Sequence, residues 1–220
     1  MQAIRTRTLF TRVRFMVFAA VLSGLIISSP DSSQAAAAAQ LPQLSSTEAE
    51  WIGERIFANE CNLQLSCLTS WNAGEDFPSL GIGHFIWYRK DQQEVFIESF
   101  PALLAFYQQR RAAIPHWLST LEDSASPWRS RAEFEADLDS ARMLELREFL
   151  AATMPIQVEF IMNRLYDSLP GLREASSFPE QMEQLFYAVA HSESPTGMYA
   201  LIDYVNFKGE GTAVSERYQG

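Results

Sequence analysis

The chain has 220 residues, 47% of them hydrophobic, with 27 acidic against 17 basic side chains and a formal net charge of −10. That length suits one domain with a proper core. The acidic balance excludes a nucleic-acid binder, which needs a basic footprint, and weighs against non-specific adsorption to an anionic cell wall.

Arg5, Arg7, Arg12 and Arg14 open the chain, and an apolar run follows from Phe15 to Ile27. The run is short for a membrane span, and the small residues from Ser28 to Ala39 offer several small-x-small frames. The pattern predicts a secretory signal peptide over residues 1–36, cleaved near Ala35 to Ala39, and a periplasmic or secreted location. No stable membrane span is expected after processing. The remainder holds 13 basic and 26 acidic side chains, a net of −13. Residues 37–45 read as an alanine- and glutamine-rich low-complexity junction, and 46–220 as a single folded domain.

Two overlapping capping patterns, Ser45-x-x-Glu48 and Thr47-x-x-Glu50, start a helix near Ser46. Within it Ile52, Ile56 and Glu60 recur every four residues, so Glu60 ends an apolar stripe at the helix C-terminus. Apolar surroundings and the negative end of the helix dipole both work against loss of a carboxyl proton there. Cys61 and Cys67 are the only cysteines, and in an exported chain they predict a disulfide. So small a loop adds modest stability, and its main effect is to fix the path leaving Glu60. No second Cys/His pair stands at ligand spacing, and His84, His116 and His191 are scattered, so no metal site is expected; no other cofactor is expected either.

Residues 61–79 read as loop, Leu80 to Tyr88 as an extended stretch, Arg89 to Gln93 as a turn, and Glu94 to Ile97 as a returning strand. From Pro101 onward the periodicity is helical, over Pro101–Ala113, Pro115–Leu121, Arg131–Thr153, Pro155–Ser168, Pro179–Ser192 and Thr196–Phe207. Pro127, Pro155, Pro170, Pro179 and Pro195 serve as punctuation. The fold class is α+β: an N-terminal helix, a small β-element and a mainly helical body.

The segment Asp76 to Tyr88 carries the chemistry. Gly81 and Gly83 flank Ile82, which permits a tight turn and the close approach of a ligand. Cleaving a glycosidic bond needs a protonated acid at the leaving oxygen and a second group that positions water or stabilises the oxocarbenium ion. Glu60 suits the first role, and Asp76 or Glu75 the second, a choice the residues leave open. Ser79 could hold the attacking water. Trp71, Trp87 and Tyr88 could stack on sugar rings, or simply be core. His84 could orient Glu60 or brace the β-element. Near the end, Gly209 suits a helix C-cap, and Asn206, Lys208 or Glu210 could line the far wall of a cleft. The plain alternative for Glu60 is an ion pair with Arg55 or Arg164.

Glu60 near the end of the first helix, followed by Ser79-Leu-Gly-Ile-Gly-His84, resembles the lysozyme-like superfamily, and most of all the phage-type lysozymes. There an acidic residue, an Asp and a Thr precede a Gly-Ile-Gly-His or Gly-Tyr-Gly-His strand. The resemblance implies a lysozyme-like fold, with Glu60 as general acid and Ser79 in the place of the water-holding Thr. It implies hydrolysis of the β-1,4 bond between N-acetylmuramic acid and N-acetylglucosamine; peptidoglycan or a related β-1,4 glycan is the expected partner, and the chain is expected to be a monomer. The interval from Glu60 to Ser79 is longer than in those enzymes and contains the cysteine pair. Asp76 also lies closer to Ser79 than the family's Asp does to its Thr. Two other readings stay open: a lytic transglycosylase, in which the substrate's own 6-hydroxyl replaces water, and a non-catalytic module that binds glycan or an envelope protein.

Overall fold

A computed structural model describes residues 42–208, with side chains to 204. The expected signal peptide, most of the junction and the tail after 208 lie outside the described residues, as does the Asn206 side chain. The described part is α+β and mostly helical, with one small antiparallel sheet.

Helix α1, Ser46–Cys61, starts at the predicted capping box: Ser45 accepts from the Glu48 N–H while Glu48 accepts from the Ser45 N–H. It ends at Asn62, whose left-handed conformation (φ 52°) closes the last turn onto the Ala58 and Phe57 carbonyls. A short 3-10 turn, Leu65–Leu68, leads into β1, Thr69–Ser70. β2 is Ser79–Leu80 and β3 is Phe85–Ile86, with sheet order β1-β2-β3. Thr69 faces Leu80 in register, and Leu80 faces Phe85.

This sheet differs from the sequence expectation. The stretch from Leu80 to Tyr88 is not one extended run. It reverses at Gly81 (φ 69°) and His84 (φ 47°), so the glycine segment is itself the hairpin turn. Glu94 to Ile97 forms no strand either. The Tyr88 N–H goes to the Glu98 carboxylate (2.7 Å) and the Tyr88 hydroxyl donates to the Phe96 carbonyl (2.9 Å). Those bonds take the place of a ladder and leave Val95, Phe96 and Ile97 exposed.

The helical body comprises α2 (Phe100–Gln109), α3 (His116–Ser119), α4 (Arg131–Asp137), α5 (Ala141–Ala152), α6 (Met154–Ala175), α7 (Pro179–Ala190) and α8 (Thr196–Lys208). The helix expected over Arg131–Thr153 is two, because Ser140 caps a new start by accepting from the Met143 N–H. Conversely, Pro170 does not punctuate. It sits exposed within α6, where water can reach the carbonyl it leaves without an N–H, and the helix runs on to Ala175.

Helix α6 is the spine. Its N-terminal half packs on α1 closely enough that a Cβ on Gly53 would lie 3.0 Å from the Met154 Cβ. The main core gathers Ile52, Ile56, Leu80, Phe85, Trp87, Phe100, Leu103, Trp128, Phe134, Leu146 and Val158, all essentially without exposure. A smaller cluster, Leu165, Leu169, Phe186 and Tyr187, joins the C-terminal half of α6 to α7. Among the described residues no helix is long and apolar enough to cross a membrane.

Candidate functional site

Ile52 and Ile56 are wholly buried, and one helical turn later the same stripe leaves the core, so Glu60 emerges at its rim. The Cys61–Cys67 disulfide (Cα–Cα 5.4 Å) folds the following chain back beside that helix end, as the cysteine pair predicts. The turn between β2 and β3 then brings His84 to Glu60, with Nε2 3.5 Å from Oε2. Their side chains are 29% (Glu60) and 37% (His84) exposed, so a ligand can reach both. The imidazole carries the charge for an ion pair only when protonated.

The glycines meet protein, not ligand. Gly81 is crowded by Gln157: an added Cβ would lie 2.3 Å from the Gln157 Oε1, and one on Gly83 would lie 2.6 Å from the Phe85 ring. The expectation of ligand approach at these glycines therefore gives way to a packing reason. The Gly81 N–H bonds to the Leu68 carbonyl (2.8 Å) and the Ile82 N–H to the Gln157 Oε1 (2.9 Å).

The second carboxylates are tied elsewhere. Asp76 is exposed, and its Oδ2 accepts from Arg89 Nη2 (2.8 Å) while its carbonyl accepts from Gln92 (2.9 Å). Arg89 is itself held by the Arg129 carbonyl (3.1 Å). Glu75 accepts from the Asn72 amide (3.0 Å). Ser79 is buried in β2 between Ser70 and Ile86, and its carbonyl accepts from the Ser70 hydroxyl (3.3 Å). Glu60 with His84 and Asp76 with Arg89 thus form two separate pairs.

No protein-family model, curated protein or solved structure matches this chain.

The aromatics expected to stack on sugars are core instead. Trp87 is wholly buried: its ring lies 4.6 Å from Phe100 and 5.7 Å from Trp128, and its Nε1 donates to the Ser124 carbonyl (2.7 Å). Trp71 packs 5.7 Å from Phe134 and donates to the Glu75 carbonyl (2.8 Å). Tyr88 packs edge-on to Phe77 at 5.3 Å. Burial, followed by the nearby Glu94, Glu98 and Glu75 carboxylates, pushes its phenol up to about 12. Rings whose faces are already packed offer none to a sugar. Burial likewise raises the Glu98 carboxyl, against the opposing bond from the Tyr88 N–H. Among the described residues no three His, Cys, Asp or Glu side chains gather as metal ligands.

Two residues of this neighbourhood have partners that the sequence does not reveal. Arg89 lies in a stretch whose composition says only turn. Gln157 had a visible signal, a polar residue among Met154, Val158, Ile161 and Leu165 on a buried face. Arg147 is also buried. It bonds from Nε to the Thr69 hydroxyl (2.7 Å) and from Nη1 to the Leu138 carbonyl (2.9 Å), bracing α5 against β1 and the end of α4. Burial lowers its pKa, with Asp139 acting in the opposite direction.

Proposed function

We propose that the chain is an exported, lysozyme-like glycosidase that cuts β-1,4 bonds of peptidoglycan, with Glu60 as general acid. One observation carries the reading: a helix-end carboxyl, accessible and 3.5 Å from the histidine of a Gly-Ile-Gly-His turn. His84 meets Oε2 and thereby leaves Oε1 to face the glycosidic oxygen. Glu60 protonates that oxygen as the bond to C1 breaks. In the hydrolytic version a water adds to C1 and gives its proton to a carboxylate of the Glu75–Asp76 turn.

The engagement of Asp76 by Arg89 and of Glu75 by Asn72 favours a second version, lytic transglycosis. There the substrate's 6-hydroxyl attacks C1 and forms a 1,6-anhydro ring. Glu60, having given its proton to the leaving oxygen, takes the hydroxyl proton back, so a single carboxyl suffices.

The test is digestion of purified peptidoglycan by the chain lacking residues 1–36, wild type beside Glu60→Gln, with products resolved by mass. The variant is expected to lose at least about a hundredfold in turnover, the usual scale for a general acid, with an unchanged or higher melting temperature. Reducing ends identify the hydrolase and anhydro ends the transglycosylase. A folded wild type that binds sacculi without releasing fragments overturns both in favour of a glycan-binding module.

A further inference from the structure

Glu60 and His84 come from elements that are separate in sequence, α1 and the β2–β3 turn, and their meeting needs a common reference. Both elements rest on the first two turns of α6. The α1 contact is Gly53 against Met154 and Val158, and the turn contact is Gly81 and Ile82 against Gln157. Met154 and Gln157 are three residues apart, hence on one face of α6.

The Gln157 side chain is wholly buried, and both ends of its amide are used. Oε1 accepts the Ile82 N–H at 2.9 Å, and Nε2 donates to the Leu150 carbonyl at 2.7 Å. The Tyr107 hydroxyl accepts from Thr153 Oγ1 (2.9 Å) one turn before the glutamine, and burial pushes that phenol's pKa far up. A buried amide with fixed partners on two sides has one orientation, so it sets the depth at which the turn sits. The absent Cβ of Gly81 is what lets Oε1 reach the Ile82 N–H. Without an acceptor there, the turn must either bury an unpaired N–H or shift toward water.

We propose that Gln157 is the positioning residue of the candidate site: it fixes the turn from inside and so sets the distance from His84 to Glu60. Its catalytic consequence rests on the glycosidase reading, whereas its geometric consequence does not. The glutamine touches neither Glu60 nor any surface a glycan could reach, so it acts only through His84.

The experiment uses three forms of the chain lacking residues 1–36: wild type, Gln157→Leu and Gln157→Glu. Gln157→Leu removes the acceptor at similar volume. A protonated carboxyl from Gln157→Glu would be shaped like the amide, accepting from Ile82 and donating to Leu150. Once ionised it would face the Leu150 carbonyl with a second acceptor. The geometric readout is the nuclear Overhauser contact between the His84 ring and the Glu60 methylenes, with hydrogen exchange at the Ile82 amide. The kinetic readout is kcat and KM on solubilised glycan chains.

Wild type is expected to show the contact and a protected Ile82 amide. Gln157→Leu should lose both and fall about tenfold in kcat with KM within about twofold, the pattern of a lost transition-state arrangement. Gln157→Glu should recover the contact in acid and lose it as its carboxyl ionises. A His84–Glu60 contact that survives in folded Gln157→Leu overturns the proposal, as does a Gln157→Glu variant with the same contact at both ends of the pH range. If Gln157→Leu does not fold, the pH dependence of Gln157→Glu decides. A wild type that shows the contact but cleaves nothing defeats the glycosidase reading and leaves the positioning role to the Overhauser data alone.

Discussion

At the scale of single residues, the candidate site depends on what Gly81 lacks. Its φ of 69° lies where L-residues are disfavoured, and a Cβ would stand 2.3 Å from the Gln157 Oε1. Conformational strain and overpacking therefore add. Gly81→Ala is expected to destabilise the fold by about 3 kcal/mol, from roughly 1–2 for the left-handed backbone and 1–3 for forcing the amide aside. Urea unfolding followed by tryptophan fluorescence measures this through the midpoint at constant slope. A loss below about 1 kcal/mol would show that the turn relaxes away from α6 at little cost, which would also weaken the case for Gln157 as its anchor. The residue identities in this turn were legible in the sequence, but their reason was not. Two glycines around Ile82 announce a tight turn or a close approach, yet nothing in the local pattern says that the approaching group is an amide from residue 157, 75 positions away. Trp71, Trp87 and Tyr88 failed as sugar platforms for a related reason: aromatic side chains look alike in sequence whether their faces meet a ligand or Phe134, Phe100 and Phe77.

At the scale of elements, what the sequence made visible is what local chemistry decides. The capping box at Ser45 and Glu48 placed the start of α1, and the cysteine pair placed the disulfide. Strands of two residues each escape any periodicity, so β1 leaves no sequence signal and the hairpin turn expected at Arg89–Gln93 stands instead at Gly81–His84. The disulfide joins two elements that matter to the site, the last turn of α1 and the 3-10 turn that precedes β1. Between its cysteines, Asn62 (φ 52°) and Leu63 (φ 59°) both adopt left-handed backbone, a combination disfavoured for a leucine. Closing a loop with sequence separation 6 lowers the entropy of the unfolded chain by an amount worth about 2 kcal/mol in the loop-closure treatment. Replacing both cysteines with serine is thus expected to lower stability by about 2 kcal/mol, and glycan cleavage by more than that loss explains, since the residue before Cys61 is Glu60. The check is to compare urea midpoint and turnover at a temperature where both forms are fully folded. Unchanged turnover under those conditions would confine the bridge to a stabilising role.

At the scale of the whole molecule, charge is the dominant field. The net of −13 left after residues 1–36 are removed opposes a peptidoglycan substrate that is itself anionic, so encounter should be slowed by long-range repulsion and assisted only by local cations. His84 beside Glu60 and Arg89 beside Asp76 are such cations, the first only when protonated. Salt separates the two ranges, because the screening length falls from about 30 Å at 10 mM to about 8 Å at 150 mM. Over that interval the repulsion of the whole chain is largely removed, whereas contacts at 3 to 4 Å are little affected. The expected result is a severalfold rise in kcat/KM for peptidoglycan between those two salt concentrations, with kcat nearly constant because the chemical step uses only the short contacts. An uncharged chito-oligosaccharide, if cleaved, should show no such rise. A fall in kcat/KM with salt would place a cationic track along the route to Glu60 and reverse the sign of the argument, because the local field would then outweigh the net charge.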